Sequence, residues 1–165
     1  MANELYPVFL KVHQFETLIV GGGEVGLEKL SFLLKSSPQA KVTLVGKSIK
    51  EEIKTLVKAH PSVTLYERAY FPEDLTGMQM ALIATEDHET NIGIQEEAKS
   101  LGILVNVADT PDLCDFYLGS IVTKGDLKIG ISTNGKSPTI AKRLKETLNE
   151  VLPDEIDELL QRMRE

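Results

Sequence analysis

At 165 residues, with 42% hydrophobic residues, 5% aromatic residues and one cysteine, the chain suits one domain, or one domain with a small appendage, in a reducing cytoplasm. A formal net charge of −7 argues against a general nucleic-acid binder. No apolar run reaches membrane-spanning length, Met1-Ala2-Asn3-Glu4 lacks the basic start of a secretion signal, and His13, His60, His88 and Cys114 lack ligand spacing, so neither a membrane partner nor a metal site is expected.

In chain order, Thr17–Val20 predicts a strand that runs straight into Gly21-Gly22-Gly23-Glu24-Val25-Gly26. Glu24–Lys35 follows with apolar residues at helical spacing (Val25, Leu27, Leu30, Leu33, Leu34). Strand, Gly-x-Gly-x-x-Gly and helix is the order a dinucleotide site needs. Gly21 allows a tight turn, Gly23 lets a pyrophosphate approach the backbone, and Gly26 lets the helix sit close to the strand. The phosphates would lie on the free N–H groups and positive dipole end of the helix. A phosphate loop of the NTPase kind is excluded, because Leu27-Glu28 replaces the required Lys-Ser/Thr.

Ser36-Ser37-Pro38 ends the helix, and Lys41–Val45 predicts a second strand. Ser48, with Glu51 three residues on, predicts a capping box for a helix to about His60, which Pro61 stops. Val63–Tyr66 reads as a short strand, and Met80–Ala84 as a central parallel strand covered on both faces. His88–Ser100 predicts a helix with Gly102 past its end, and Ile103–Val107 the next strand. This alternation implies an α/β fold, a Rossmann-type doubly wound parallel sheet.

After Pro111 the pattern changes. Phe116–Thr123 and Asp126–Ser132 predict a β-hairpin turning at Lys124-Gly125. Ser137-Pro138 starts a helix to about Leu152, and Pro153-Asp154 restarts a short charged one. A hairpin after an α/β unit does not readily join the parallel sheet, so it packs elsewhere or pairs with a second chain through a strand edge. The expected divisions are 1–112 for nucleotide binding, 113–150 for dimerisation and substrate, and 151–165 as a short helical segment.

Ligands of an open α/β sheet bind beyond the carboxyl ends of its strands. The acid that usually holds the adenine ribose is missing there: Val45 is followed by Gly46-Lys47-Ser48. Backbone groups or Ser48 would hold the ribose, and Lys47 could contact a 2′-phosphate, leaving NAD and NADP open. Asp109 closes an apolar strand at the rim where a nicotinamide would lie, as a proton acceptor or else as a simple turn residue before Thr110-Pro111. Ser132-Thr133-Asn134-Gly135-Lys136-Ser137-Pro138 is a second polar loop entering a helix, an anion site or a cap. Residues 121–146 hold six basic and two acidic residues, a net +4 in an otherwise acidic chain, which suits an anionic ligand or a solvated helix face.

These segments, with Tyr6-Pro7-Val8-Phe9-Leu10, Ala84-Thr85-Glu86-Asp87 and Asn91, Val105-Asn106-Val107-Ala108-Asp109 and Cys114-Asp115-Phe116, resemble in order the precorrin-2 dehydrogenase and sirohydrochlorin ferrochelatase family, the N-terminal module of sirohaem synthases. The resemblance implies NAD-dependent oxidation of precorrin-2 to sirohydrochlorin by a strand-exchanged homodimer. It implies Asp109 as the catalytic residue. The cofactor would lie on Gly21, Gly22, Gly23, Glu24, Val25, Gly26, Lys47 and Ser48, with its nicotinamide near Thr85 and Asn106. The substrate, which carries eight carboxylates, would meet Ser120, Lys124, Ser132, Thr133, Lys136, Ser137 and Arg143. Gly119 stands where many relatives have proline, and Thr133 where some have serine. The chain lacks the methyltransferase module of the long synthases and ends at Glu165, so uroporphyrinogen methylation is not expected and dehydrogenase activity is favoured over a bifunctional dehydrogenase–chelatase. The alternative is an NAD-sensing or ligand-binding module without turnover, which would need the glycines but neither Asp109 nor the basic segment.

Overall fold

In the computed structural model, which describes residues 3–153 together with Ile156 and Arg162, the apolar run before the glycines forms strand β1 (Glu16–Val20). Helix α1 (Glu24–Ser36) follows after the Gly21–Gly23 turn and buries Leu30, Leu33 and Leu34, one apolar stripe at helical spacing. Strand β2 (Lys41–Gly46) pairs in parallel with β1 from Glu16↔Lys41 to Val20↔Val45. With β3 (Val63–Glu67), β4 (Met80–Ile83) and β5 (Leu104–Val107) it completes a five-stranded sheet of order β3-β2-β1-β4-β5, every pair parallel. All four residues of β4 are buried, as a central strand covered on both faces requires.

Period-two alternation splits the core of residues 9–116 into two apolar layers. Ile19, Leu44 and Leu82 pack with α1 and with Ile53 of α2 (Glu51–Leu56). Leu18, Val45, Ile83 and Val105 face the other way, against Ile94 and Ala98 of α3 (His88–Ser100). The helix predicted at His88–Ser100 holds at both ends. Asp87 is its N-cap, and Gly102 follows it with a left-handed φ of 73°.

The start of α2 is a correction. Ser48 does not cap this helix, which begins at Glu51 with Lys50 as N-cap and no side-chain capping bond. The loop's N–H groups are taken by distant partners instead. Glu67 at the end of β3 accepts from Ile49 at 2.9 Å, and the carbonyl of Gly22 accepts from Lys50 at 3.0 Å. The helix also stops early, tightening at Val57–Ala59 into a 3-10 turn. Between β3 and β4 runs another 3-10 turn, Pro72–Leu75, held by a bidentate pair in which Arg68 donates to Asp74 at 2.8 and 2.6 Å.

Residues 3–8 and 117–153 form a second compact unit. Strands β6 (Ser120–Lys124) and β7 (Leu127–Ile131) make an antiparallel hairpin, with Lys124 paired to Leu127 across Gly125-Asp126. The first strand starts at Ser120 rather than Phe116, because the Phe116 carbonyl accepts the Asn106 side-chain amide at 2.9 Å and its ring packs against the α1–α2 layer. Helix α4 (Pro138–Val151) begins where Ser137 accepts the Ile140 N–H at 3.3 Å. The helix expected from Pro153-Asp154 onward lies almost entirely outside the described residues. Among those described, no helix is long and apolar enough to cross a membrane.

The central position of β4 gives a stability test. Replacing Leu82, 1% exposed in the α1–α2 layer, by alanine should cost about 2–5 kcal/mol, measured as a lowered midpoint in urea unfolding.

Candidate functional site

The carboxyl ends of β1, β2, β4 and β5 open into a cleft of about 940 Å³, lined by Gly21–Val25, Gly46–Ser48, Ala69-Tyr70, Ala84–His88, Thr90, Asn91 and Ala108–Thr110. It lies where the strand order reverses, between β1 and β4, the crevice in which open α/β sheets bind ligands.

The glycine turn has two kinds of glycine. Three are required by the protein itself. Gly21 has φ 124°, and a Cβ there would sit 2.2 Å from the Ala84 carbonyl oxygen. A Cβ on Gly22 would lie 2.2 Å from the Ser48 carbonyl oxygen, and one on Gly26 2.0 Å from that of Gly21. Gly23 is different. Its φ of −85° suits any residue, and a Cβ there would meet nothing within 4 Å. Neither packing nor backbone requires glycine at 23, and the open space above it is the cleft.

Gly23 is also the N-cap of α1, and no side chain caps that helix end. The first N–H groups of a helix have no acceptor within the helix, so α1 presents donors and its positive dipole end to the cleft. Glu24, at the same mouth, is bonded by Lys50, whose pKa rises chiefly through that hydrogen bond and in spite of desolvation. The residues fit a dinucleotide pyrophosphate: open space, free donors and an acid already paired.

The β4–α3 loop is held by a residue absent from the expected site. Asn91 is 5% exposed, and its amide donates to the Thr85 carbonyl at 3.0 Å while its oxygen accepts the Thr85 hydroxyl at 2.5 Å. A polar side chain on the buried face of α3, beside Ile94 and Ala98, was the signal available for it. Asp87 accepts from the Thr90 hydroxyl and, at 3.2 Å, from its N–H. These bonds, the hydroxyl's first, hold its carboxyl below the usual range, and the charge of Lys47 adds to the effect.

Asp109 lines the far end of the cleft with its backbone in the left-handed region, φ 56°. The side chain is exposed, with no hydrogen bond or ion pair to the described residues. Behind it the chain is clasped to β5. The Val107 N–H donates to Cys114 Sγ at 3.2 Å, and the Val105 N–H donates to Asp115 at 3.0 Å. Burial pushes the Cys114 thiol up, so it is a structural group rather than a nucleophile. Asn106 does not line the cleft. Its amide serves Phe116, and its Oδ1 is buried without a partner. Gly26 lies beneath the turn rather than in the cleft wall.

The expected substrate residues all lie in the second unit. Ser120 opens β6 and Lys124 closes it, while Arg143 lies on α4. The loop between β7 and α4 turns at Asn134 (φ 55°) and Gly135 (φ 73°), and the Lys136 N–H closes it on the Thr133 carbonyl at 3.1 Å, a type I′ turn. Ser132 accepts the Asn134 N–H at 3.2 Å, and Thr133 Oγ1 accepts that of Ser137 at 3.1 Å. Each hydroxyl keeps its own O–H to donate.

Gly23→Ala separates packing from binding. The variant should keep the wild-type unfolding midpoint to within about 0.5 kcal/mol and lose about tenfold or more in dinucleotide affinity by calorimetry.

Residues 8–120 match a family model described as "Putative NAD(P)-binding", and residues 124–150 match that of the sirohaem biosynthesis protein central region. The siroheme synthase of Nitrosomonas europaea is 36% identical over 147 residues, 89% of this chain and 30% of the relative. That of Psychrobacter arcticus is 38% identical over 148 residues, 90% of this chain and 26% of the relative. The chain thus spans about a third or less of the length of the curated relatives it matches. Among solved structures, one titled SirC, precorrin-2 dehydrogenase, superposes with a TM-score of 0.79 at 25% identity, covering 95% of this chain and 76% of that one. The nucleotide-binding match spans the whole parallel sheet and shows that the chain belongs to the family described as putative NAD(P)-binding, while the sirohaem central-region match spans β7 and most of α4.

Proposed function

We propose that this chain is an NAD-dependent dehydrogenase that oxidises precorrin-2 to sirohydrochlorin on the route to sirohaem. The observation that carries the reading is Asp109, an exposed carboxylate without a partner among the described residues, held in a left-handed backbone conformation on the wall of the glycine-turn cleft. The reaction removes a hydride and a proton from the macrocycle. Bound nicotinamide supplies the hydride acceptor. The chain supplies the rest: the α1 N–H groups bind the pyrophosphate, the Thr85–Asn91 bonds keep the β4–α3 loop in place, and Asp109 takes the proton. Lys124, Lys136 and Arg143, with the hydroxyls of Ser120, Ser132, Thr133 and Ser137, receive the carboxylates of the substrate. A cytoplasmic setting suits the single half-buried thiol.

Purified chain mixed with precorrin-2 and NAD should give NADH absorbance and the sirohydrochlorin spectrum. Asp109→Asn should slow this by about 10²–10⁴-fold. Dinucleotide binding without turnover would favour the sensing module instead, and unchanged turnover in Asp109→Asn would remove that residue from its role.

We further propose that the second unit forms a homodimer. Its sheet has two strands, so each has one neighbour and one open edge among the described residues. Two-stranded sheets are marginal in water. Helix α4 buries Ala141 while leaving Ile140 54%, Leu144 46% and Val151 72% exposed, and Tyr6 of the same unit is 87% exposed. Light scattering on the eluting peak should give a dimer mass, and Leu144→Glu should shift it toward the monomer. A monomeric wild type at micromolar concentration would overturn the proposal.

A further inference from the structure

We propose that Cys114 is a positioning residue for Asp109: its thiol ties together the two residues that flank the Ala108-Asp109 turn and so keeps the carboxylate at the cleft. The inference rests on the reading of Asp109 as proton acceptor and concerns how that group is held in place. Asp109 has φ 56°, a region that L side chains rarely adopt. Such a conformation persists only where the surrounding structure over-determines it. Asp109 does not supply that restraint. Its side chain is exposed, and neither it nor the residue's backbone groups form a hydrogen bond among the described residues.

The restraint comes from the chain on either side. The Ala108 N–H donates to the Ile83 carbonyl at 2.9 Å, which fixes the start of the turn to β4. Beyond Asp109, the backbone bond that closes the turn is long, 3.4 Å from the Thr110 N–H to the Val107 carbonyl. Cys114 reinforces it. Its Sγ accepts the Val107 N–H at 3.2 Å. The same sulfur lies 3.2 Å from the Val107 carbonyl oxygen and 3.4 Å from that of Thr110, both within reach of its one S–H. One sulfur thus holds the last residue of β5 and the residue that follows Asp109.

The sulfur is itself held. Asp115 accepts the Val105 N–H at 3.0 Å and returns its own N–H to the Val105 carbonyl at 2.8 Å, and Lys99 pairs with its carboxylate at 3.3 Å. Cys114 and Asp115 therefore cover the backbone groups of Val107 and Val105 on the outer side of β5, the last strand of the sheet. Burial pushes the Cys114 thiol up, so it keeps the hydrogen that it donates. Cys114 does not line the cleft, so it reaches the chemistry through Asp109.

Steady-state kinetics with precorrin-2 and NAD test this, with calorimetric NAD titration alongside. Cys114→Ala removes both the donor and the acceptor. It should lower kcat about tenfold or more, while the dissociation constant for NAD stays within about twofold of wild type. Cys114→Val, which fills the space with no polar atom, should lose as much and serves where Cys114→Ala folds poorly. Cys114→Ser, which keeps a donor and an acceptor, should recover kcat to within about threefold of wild type. In an Asp109→Asn background, Cys114→Ala should change kcat by less than about twofold, because the loss passes through Asp109. Wild-type kcat in Cys114→Ala or Cys114→Val would overturn the proposal. So would equal losses in Cys114→Ser and Cys114→Ala, or a loss of about tenfold that persists in the Asp109→Asn background. No turnover in the wild type, or unchanged turnover in Asp109→Asn, fails the underlying reading and this inference with it. Turnover lost in Asp109→Asn but kept in Cys114→Ala and Cys114→Val fails this inference alone.

Discussion

The rest of the nucleotide-binding unit depends on the close approach of backbone to backbone at the glycine turn. Gly21 abuts the Ala84–Thr85 peptide at the end of β4, and Gly22 abuts Ser48 beyond β2. Gly46 closes the same contact from the other side, since a Cβ there would lie 2.7 Å from the Gly22 nitrogen. Three strand ends therefore meet with no side chains between them. This lets α1 begin after a turn of three residues, with its N-terminal donors in the switch-point crevice rather than above it. A side chain at any of these positions would force strand ends apart, and the crevice would lose its floor before it lost a ligand contact.

Charge around the crevice follows from the same crowding. Three acids near the turn have local partners: Glu24 pairs with Lys50, Glu67 accepts from Ile49 and pairs with Lys54, and Asp87 accepts from Thr90. Lys47 after β2, Glu86 after β4 and Asp109 after β5 have no such partner among the described residues. The strand order puts three inter-strand steps between β2 and β5, about 14 Å at the usual spacing. One end of the cleft is thus cationic and the other anionic. A dinucleotide laid across the switch point would meet the cation at its adenosine half and the carboxylate at its reactive half. This polarity gives the cofactor contact expected at Lys47 and the proposed role of Asp109 a common origin in topology.

Local signals made most of the fold legible. The apolar run of β4, the helical stripe of α1 and the Gly102 stop after α3 are written in neighbouring residues, and each element formed where expected. The glycine spacing likewise located the cleft. What sequence missed depends on long-range bonds. The capping box at Ser48 failed because Glu67, 18 residues on from Ile49, and Gly22, 28 residues before Lys50, took the loop's donors first. The family resemblance placed Asn106 near the nicotinamide. The neighbour of Asn106 in space is Phe116, whose carbonyl holds the amide. Asn91 was legible as a polar residue on an apolar face, but its task of fixing Thr85 needs the loop to be seen folded.

The two units differ in how complete they are. Residues 9–116 bury two full apolar layers and hold the whole glycine cleft. The second unit has few fully buried apolar residues, Val122 and Ala141 among them, and leaves open strand edges and an apolar stripe on α4. Yet the net +4 segment lies in that less complete unit. On the proposed reading, binding of the dinucleotide needs one chain, whereas recognition of the polyanionic substrate needs the hairpin unit stabilised by a partner. Cofactor affinity would then be independent of protein concentration, and turnover would not. On that reading assembly would be the condition for chemistry, because the hydrophobic area that stabilises the proposed substrate-binding half would come from the second copy.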